Sequence, residues 1–372
     1  MVNVEKHVLA RGLNIALVGL FSLSTALKAQ IQHYTQINLV SDTPGMASIT
    51  DANLVNPWGL SRSSGSPWWV SDNGPGLTTL YGATGTPASL VVTIPPADKS
   101  GGQTGTPTGQ IFNGTSDFQL APGFPAKFIF VTEDGTVSGW NPGVNAASAV
   151  IMVNTMSASV FKGVAVATVV DPTMGALNFL YLADFRKGRV SIYDASFHRI
   201  PLDEDAFQDE RIPRGFAPFN VQNIGGSIYV AFAQQDSAKH DEVDGPGLGY
   251  VDVFSPTGHL LLRLQSGLWF NAPWGMAQAS GDFGAYSHDI LVGQFGSGQI
   301  LVFDPVNGHY KGNLVDSTNA PIAIDGLWGL AFGSGGGSGP ANSLYFTAGP
   351  GGEQHGLFGT ITPVENVFGG DH

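Results

Sequence analysis

Short runs of aromatic and β-branched residues, separated by turn residues, recur along most of the chain. Trp68–Val70, Tyr181–Ala183 and Tyr345–Phe346 are three such runs, and Asp or Gly follows each within a few residues. This density of aromatic and β-branched residues is typical of β-strands. Turns such as Asn141–Gly143 contain Pro, which presets the first turn angle, and Gly, which supplies positive φ. The pattern predicts an all-β chain of short antiparallel strands.

One phrase, Trp-Gly followed by Leu or Met, occurs within Asn56–Leu60, Ala272–Met276 and Gly326–Leu330. Trp274 and Trp328 lie 54 residues apart, and Trp58 and Trp274 lie 216 residues apart, which is four times that period. Degenerate copies stand in between, at Gln110–Phe112, Lys162–Ala165 and Ala217–Asn220. A repeat of about 50 residues with three or four antiparallel strands is typical of a propeller blade.

The repeat predicts one six-bladed β-propeller domain over residues 30–363, with four-stranded antiparallel blades. The predicted blades cover residues 56–100, 104–155, 160–208, 214–266, 271–318 and 325–361. The last unit ends soon after its third strand, Leu357–Ile361. We expect the N-terminal run Tyr34–Leu39 to supply the outer strand of this blade, because such closure removes an exposed sheet edge. The alternative is a loose N-terminal arm.

Composition and charge narrow the class of protein. Apolar residues make up 42% of the chain and charged residues only 12%, and the 51 Gly and 23 Pro favour tight turns over long helices. The net charge of −13 would repel a nucleic-acid backbone or an anionic membrane. No Cys is present, which excludes disulfides and thiol chemistry. Propellers place ligands at one mouth of the central channel, so we expect a small molecule or glycan to bind there. We expect a monomer.

The N-terminus has the pattern of a signal peptide over residues 1–29. Lys6 and Arg11 form a positive segment, Leu13–Leu27 is apolar, and cleavage is expected near Ala29. The apolar run is short for a bilayer span, which needs about 20 residues. We expect a secreted protein, extracellular or periplasmic, with no membrane insertion after cleavage. The alternative is an uncleaved anchor. Residues 364–372 are expected to be a disordered tail.

Several polar residues are candidates for acid–base chemistry at the channel mouth. His355 lies in a Gly-rich loop, and His240 lies in the long acidic loop Gln234–Gly249. Histidine titrates near neutral pH, so both are candidate acids or bases, and the alternative is a solvated or turn-bonding side chain. Glu133 beside Asp134 is an unusual carboxylate pair. We expect His355 or Glu133 to transfer protons.

Other residues are candidates for binding. We expect Lys162 and His240 to contact substrate. The recurring Trp58, Trp274 and Trp328 either pack between blades or form a platform for sugars or aromatic groups. The acidic cluster of the long loop could form a loose surface Ca²⁺ site, although its spacing differs from an EF-hand. Its members are Asp236, Asp241, Glu242 and Asp244.

The segment Leu182–Asp194 resembles the NHL-type repeat: a strand, an Asp, a Gly-containing loop, and a strand that ends in an aromatic residue and Asp. From about Tyr34 to Pro363 the chain resembles an uncharacterised family of secreted bacterial propellers. More distantly, it is similar to the six-bladed gluconolactonase and regucalcin propellers. That resemblance implies a divalent metal held by oxygen ligands near the channel.

By this resemblance, Asn56, Asn271 and Asp325 would hold the metal, and their oxygens suit Ca²⁺. The alternative is that they make local backbone hydrogen bonds where strands begin. The leading expectation is a divalent-metal-assisted hydrolase of a lactone or ester, in which the metal polarises a carbonyl and activates water. One alternative is a non-enzymatic scaffold that holds a glycan or protein at the channel mouth. Another is a lyase.

Overall fold

The computed structural model describes residues 31–100 and 103–365. In these residues the chain forms 28 β-strands and one short 3-10 helix, which confirms the all-β prediction. The predicted signal peptide, residues 1–29, and most of the predicted tail lie outside the described residues. Among the helices of the described part, none has the length and apolar character needed to cross a membrane.

The first three blades follow one another in sequence. Two strands precede them: β1 (Tyr34–Ser41) and β2 (Ile49–Thr50). Blade one contains β3 (Pro57–Ser61), β4 (Trp68–Asp72), β5 (Leu77–Tyr81) and β6 (Val92–Thr93). Blade two begins with β7 (Pro107–Phe112), and a small ribbon of β8 (Gln119–Ala121) and β9 (Phe124–Pro125) follows. Blade two continues with β10 (Phe128–Thr132), β11 (Thr136–Trp140) and β12 (Val150–Asn154). Blade three contains β13 (Phe161–Asp171), β14 (Gly175–Asp184), β15 (Arg189–Tyr193) and β16 (Arg199–Ile200).

The last three blades include one extra strand. Blade four contains β17 (Phe216–Ile224), β18 (Ser227–Gln235), β19 (Glu242–Val243), β20 (Tyr250–Phe254) and β21 (Leu260–Arg263). Here β19 pairs with the end of β18, so the predicted loop Gln234–Gly249 is partly a hairpin. Blade five contains β22 (Pro273–Gln278), the 3-10 helix Gly284–Tyr286, β23 (Ile290–Gln294), β24 (Ile300–Phe303) and β25 (Tyr310–Asn313). Blade six contains β26 (Leu327–Phe332), β27 (Leu344–Ala348) and β28 (Leu357–Pro363), together with β1 and β2.

The first strand of each blade faces the central channel. These inner strands are β3, β7, β13, β17, β22 and β26, and each packs against the next, with β26 against β3. The ring is therefore closed, which confirms the six-bladed prediction. We call the end of the channel where the inner strands begin the upper mouth, and the end where they finish the lower mouth.

A β-bulge occurs near the start of every inner strand, where its pairing with the second strand shifts register. Bulges re-aim side chains. The residues at this position are Trp58, Thr108, Lys162, Phe219, Trp274 and Trp328. The four aromatic ones meet in one buried cluster, in which Trp58 stacks on Trp328 at 3.5 Å between ring centres. This cluster fills the channel near its upper end.

A glycine follows the bulge residue in five of the six blades. These are Gly59, Gly109, Gly163, Gly275 and Gly329. A Cβ added at any of them would lie less than 3.0 Å from an atom of the next inner strand. Glycine is therefore required because neighbouring backbones approach closely here. Blade four has Asn220 instead, and its Nδ2 donates to the Trp274 carbonyl at 2.8 Å.

The N-terminal strand closes the ring. β1 pairs antiparallel with β28, from Tyr34 opposite Pro363 to Ser41 opposite Leu357. β2 adds a short parallel pairing on the outer side of β1. This confirms the predicted closure of the last blade and extends the strand two residues beyond Leu39.

Truncating one side chain of β1 tests the contribution of this closure. Tyr34 is 1% exposed and its hydroxyl donates to the Phe283 carbonyl at 3.0 Å. We expect Tyr34→Ala to lower the free energy of unfolding by about 3–5 kcal/mol, measured by denaturant titration, because it removes a buried aromatic ring. Ile37→Ala on the same strand is the matched control, since Ile37 is 50% exposed. Equal effects of the two changes would contradict a stabilising role of the closing strand.

Candidate functional site

A buried lysine lies at the upper mouth. Lys162 occupies the bulge position of blade three, where three other blades have Trp and one has Phe. Its side chain is 1% exposed, and its Nζ lies 4.9 Å from the centre of the Trp58 ring. Burying an ammonium group is costly unless it is paired. This position therefore departs from the repeat in a way that packing does not explain.

Two carboxylates from other blades pair with this ammonium. Glu133, in the turn between β10 and β11, places its Oε1 2.6 Å from Lys162 Nζ. Asp241, between β18 and β19, places its Oδ1 3.1 Å away. The other oxygen of Glu133 accepts a hydrogen bond from Asn73 Nδ2 at 2.9 Å. Among the described residues, two of the three lysine N–H donors therefore have partners.

Asp241 also contacts a histidine. Its Oδ1 lies 2.8 Å from Nδ1 of His240, which is partly exposed. This hydrogen bond raises the pKa of His240 and holds the pKa of Asp241 far below its usual range. The imidazolium form of His240 therefore persists to higher pH than in a free histidine.

Two further carboxyl groups approach the same cluster. Burial raises the pKa of Glu242 to about 7, although the charge of Lys162 opposes this rise. Burial, together with the charge of Glu133, also raises the pKa of Glu353. Glu353 Oε2 accepts a hydrogen bond from Asn56 Nδ2 at 2.9 Å. The upper mouth thus contains a carboxyl group that titrates near neutral pH.

Lys162 remains charged despite its burial. Burial alone would lower the pKa of its ammonium, but the nearby charges outweigh this effect and raise the pKa overall. These charges belong to Glu133, Glu242 and Asp241. A lysine in this state is a poor base or nucleophile and acts as a fixed positive charge.

The raised pKa of Glu242 predicts a dependence of stability on pH. The native protein holds this proton more tightly than the unfolded chain, whose pKa is near 4.5. Up to about 3 kcal/mol of stability is therefore present below pH 4.5 and lost as the pH rises to about 7. We expect Glu242→Gln to flatten this decrease in urea titrations between pH 4.5 and 8. Glu210→Gln, at an exposed position, should keep the wild-type decrease in the free energy of unfolding with pH. A wild-type free energy of unfolding that does not change between pH 4.5 and 8 would refute the raised pKa of Glu242.

The predicted metal ligands each accept a hydrogen bond from a distant part of the chain. Asn56 Oδ1 accepts from Trp328 Nε1 at 3.1 Å. Asn271 Oδ1 accepts from the Gly245 amide at 2.6 Å, and Asp325 Oδ2 accepts from the Gly351 amide at 2.8 Å. The donors to Asn271 and Asp325 are backbone amides 26 residues away, and the donor to Asn56 is a side chain of another blade. The role of the three predicted ligands as a metal site stays a prediction.

The other predicted residues fall into three groups. Glu133, Lys162 and His240 lie together at the upper mouth. His355 instead pairs with Asp42 Oδ2 at 2.9 Å, in the segment that follows β1, and its side chain is 49% exposed. Trp58, Trp274 and Trp328 are buried in the aromatic cluster, and Trp58 lies beneath the Lys162 ammonium. Their role as a binding platform stays a prediction.

The sequence analysis gave Lys162–Ala165 as a degenerate copy of the repeat phrase without aligning it residue by residue. Matching Gly163 with Gly59 aligns Lys162 with Trp58 and would have revealed a lysine at a core position. The sequence analysis also missed Asn73 and Glu353 as site residues. Asp241 and Glu242 were noted only as members of a loose acidic cluster.

Sequence comparisons identify relatives in a virus. No known family model matches the chain. It is 31% identical over 344 residues to uncharacterized protein R648 of Acanthamoeba polyphaga mimivirus, covering 89% of this chain and 80% of the relative. Uncharacterized protein L690 of the same virus is 32% identical over 304 residues, covering 79% and 77%. These relatives do not support the bacterial origin that the sequence resemblance implied, and the NHL-like character of the repeats stays a prediction.

Solved structures share the fold at low sequence identity. A streptogramin B lyase has a TM-score of 0.50 and 12% identity, covering 90% of this chain and 98% of its own. A glucose dehydrogenase has a TM-score of 0.53 and 12% identity, covering 88% and 99%. The soluble aldose sugar dehydrogenase of Escherichia coli has a TM-score of 0.52 and 13% identity, covering 89% and 100%. At these identities the likeness shows the propeller fold alone.

Proposed function

This chain belongs to the family of the mimivirus proteins R648 and L690, and we propose that it hydrolyses a lactone or ester at its upper mouth by acid–base catalysis. The observation that carries this proposal is Lys162. A permanent charge replaces an aromatic ring at a repeated core position, and loops of other blades contribute groups that titrate near neutral pH. Perturbed ionisable groups of this kind cluster at functional sites.

Each group has a role that follows from its charge state. Glu242, with a pKa of about 7, is the general base that accepts a proton from water. The ammonium of Lys162 stabilises the negative charge that develops on the carbonyl oxygen. His240, as imidazolium, is the general acid. Glu133 and Asp241 hold Lys162 and His240 in position.

The proposed hydrolysis needs no reactant besides water and the ester or lactone. The water oxygen bonds to the carbonyl carbon as Glu242 takes its proton, and the bond from that carbon to the ester oxygen then breaks. His240 gives its proton to the leaving oxygen. The carboxyl groups around Lys162 outnumber its single charge, so the site favours a neutral substrate over an anionic one.

The test is a panel of neutral lactones and esters assayed with the full chain. We expect Glu242→Gln and His240→Gln each to lower kcat/KM by about 100-fold or more, the range of general acid–base catalysis. In the wild type, kcat/KM should fall as the pH drops below about 7 and Glu242 takes up its proton.

Glu210→Gln serves as the matched control, because Glu210 is exposed outside the cluster. It should keep wild-type activity. Absence of turnover across the panel, or full activity in Glu242→Gln, would reject the proposed chemistry. A protein that binds the panel compounds without turnover would be the non-enzymatic binding propeller.

A divalent metal is the second candidate component of the upper mouth. Glu133, His240 and Asp241 each offer a ligand atom, and these atoms lie within 4.8 Å of one another. An imidazole with two carboxylates suits a transition metal better than Ca²⁺. However, the Lys162 ammonium already contacts an oxygen of both carboxylates and would repel a second cation there. This contact favours the acid–base proposal.

Elemental analysis of the purified protein and thermal melts with and without chelator separate the two candidates. The acid–base proposal expects no stoichiometric metal and no change in Tm on chelation. A bound metal together with a lower Tm after chelation would instead support a metal-assisted hydrolase.

A further inference from the structure

The lower mouth contains a cavity of about 570 Å³. Residues of all six inner strands line it, from the strand end in five of them and from the middle of β13, and this volume is in the range of small-molecule sites. The aromatic cluster and a small cavity of about 30 Å³ lie between it and Lys162. Any ligand of this cavity is therefore independent of the function proposed for the upper mouth.

The cavity has one charge, and that charge is positive. Of the described residues that line it, Arg62 alone is ionisable, in a chain of net charge −13. Apolar side chains such as Ile111, Met276 and Phe332 form much of the remaining wall. The lining therefore combines an apolar surface with a single cationic group.

Arg62 is held in place without a carboxylate partner. Its Nε donates to the Phe332 carbonyl at 2.8 Å, and its Nη2 donates to the Gly333 carbonyl at 3.0 Å. The guanidinium carbon lies 5.5 Å from the centre of the Trp68 ring. Within the described part of the chain no ion pair involves Arg62, and Nη1 is left without a hydrogen bond. A fixed, unpaired guanidinium edge is suited to bind a carboxylate.

The wall also contains a buried polar atom that lacks a partner. Gln110 is 5% exposed, and its Nε2 donates to the carbonyls of Gly59 and Trp69 at 2.9 and 2.6 Å. These bonds fix the amide, and among the described residues its Oε1 has no donor. This oxygen is enclosed and can only accept a hydrogen bond, so it does not contribute to binding an anion.

We propose that the lower mouth binds a small carboxylate with an apolar body. The carboxylate pairs with Arg62 and the apolar body lies against the inner-strand ends. Charge complementarity decides the class of ligand, because the described lining offers a cation and amides but no anion.

Calorimetric titration of the full-length protein with 2-naphthoate and with neutral 2-naphthalenemethanol tests this site. We expect 2-naphthoate to bind at least about tenfold more tightly than the alcohol, since a charge-assisted hydrogen bond contributes about that much. Gln222→Glu adds a negative charge to the cavity wall with little change of shape, and it should weaken 2-naphthoate binding by about tenfold or more. Binding of the alcohol should change less than about threefold.

Further variants test whether 2-naphthoate binding depends on Arg62 and on the lower mouth. Arg62→Gln should also weaken 2-naphthoate binding, whereas Arg211→Gln, at an exposed position outside the cavity lining, should not. Glu242→Gln at the upper mouth should leave binding unchanged, which separates this site from the proposed catalytic one. Equal affinity for the two probes, absence of 2-naphthoate binding, or no effect of Gln222→Glu would overturn the proposal.

Discussion

Replacing Lys162 with Met is expected to lower the free energy of unfolding by about 3–5 kcal/mol at pH 8, because it leaves buried carboxylates without their cation. The methionine itself fits the apolar surroundings of Trp58 and Phe219. The loss therefore reports on charge rather than on packing. It should shrink at pH 5, where Glu242 holds its proton.

A double variant separates the charge effect from other causes. Lys162→Met with Glu133→Gln removes the lysine and its closest carboxylate together and should recover part of the lost stability, as measured by denaturant titration at both pH values. Lys187→Met is the control, since the Lys187–Asp184 pair is 3.9 Å apart and Lys187 is 36% exposed. Its effect should be below about 1 kcal/mol. A Lys162→Met protein as stable as the wild type would show that the site does not need its cation.

Replacing Gly275 with Ala is expected to lower the free energy of unfolding by about 3 kcal/mol, the upper part of the range for overpacking. The added methyl group would overlap the Trp328 carbonyl of the next inner strand. Because the six inner strands form a closed ring, the gap between two of them cannot widen without straining the contacts between the other neighbouring strands.

Gly65→Ala is the matched control for this substitution. A Cβ at Gly65 would have no heavy atom within 4 Å, and the position does not require positive φ. Its stability should stay within about 0.5 kcal/mol of wild type, as measured by the same denaturant titration. Similar stabilities of the two variants would mean that the ring tolerates a wider gap between neighbouring inner strands.

The fold could be predicted largely because each blade repeats the same physical requirements. Trp58, Trp274 and Trp328 fill the channel, and the glycine after each allows the next strand to approach, so the phrase recurs at a fixed period. The closing strand was predictable because the last unit lacked an outer strand. Blade two was the least evident copy: its phrase is Pro107–Gly109, with Thr108 in place of Trp, whereas the sequence analysis placed the copy at Gln110–Phe112.

The candidate site was predictable only in part. Glu133, Lys162 and His240 stood out as polar residues near the channel. Whether Asn56, Asn271 and Asp325 can hold a metal depends on hydrogen bonds that spacing does not reveal, such as the Trp328 indole that donates to Asn56. The position of Asp241 over the mouth depends on the short pairing of β19 with β18, which its sequence does not signal.

The closure by β1 has a mechanical consequence. The start of β1 and the end of β28 lie side by side, with Tyr34 opposite Pro363. Tension applied to the two ends of the propeller would therefore act across the hydrogen bonds of this pair and break them one after another, as in unzipping, rather than all at once as in shear. Under tension, the strand that completes the ring is also the first to separate from it.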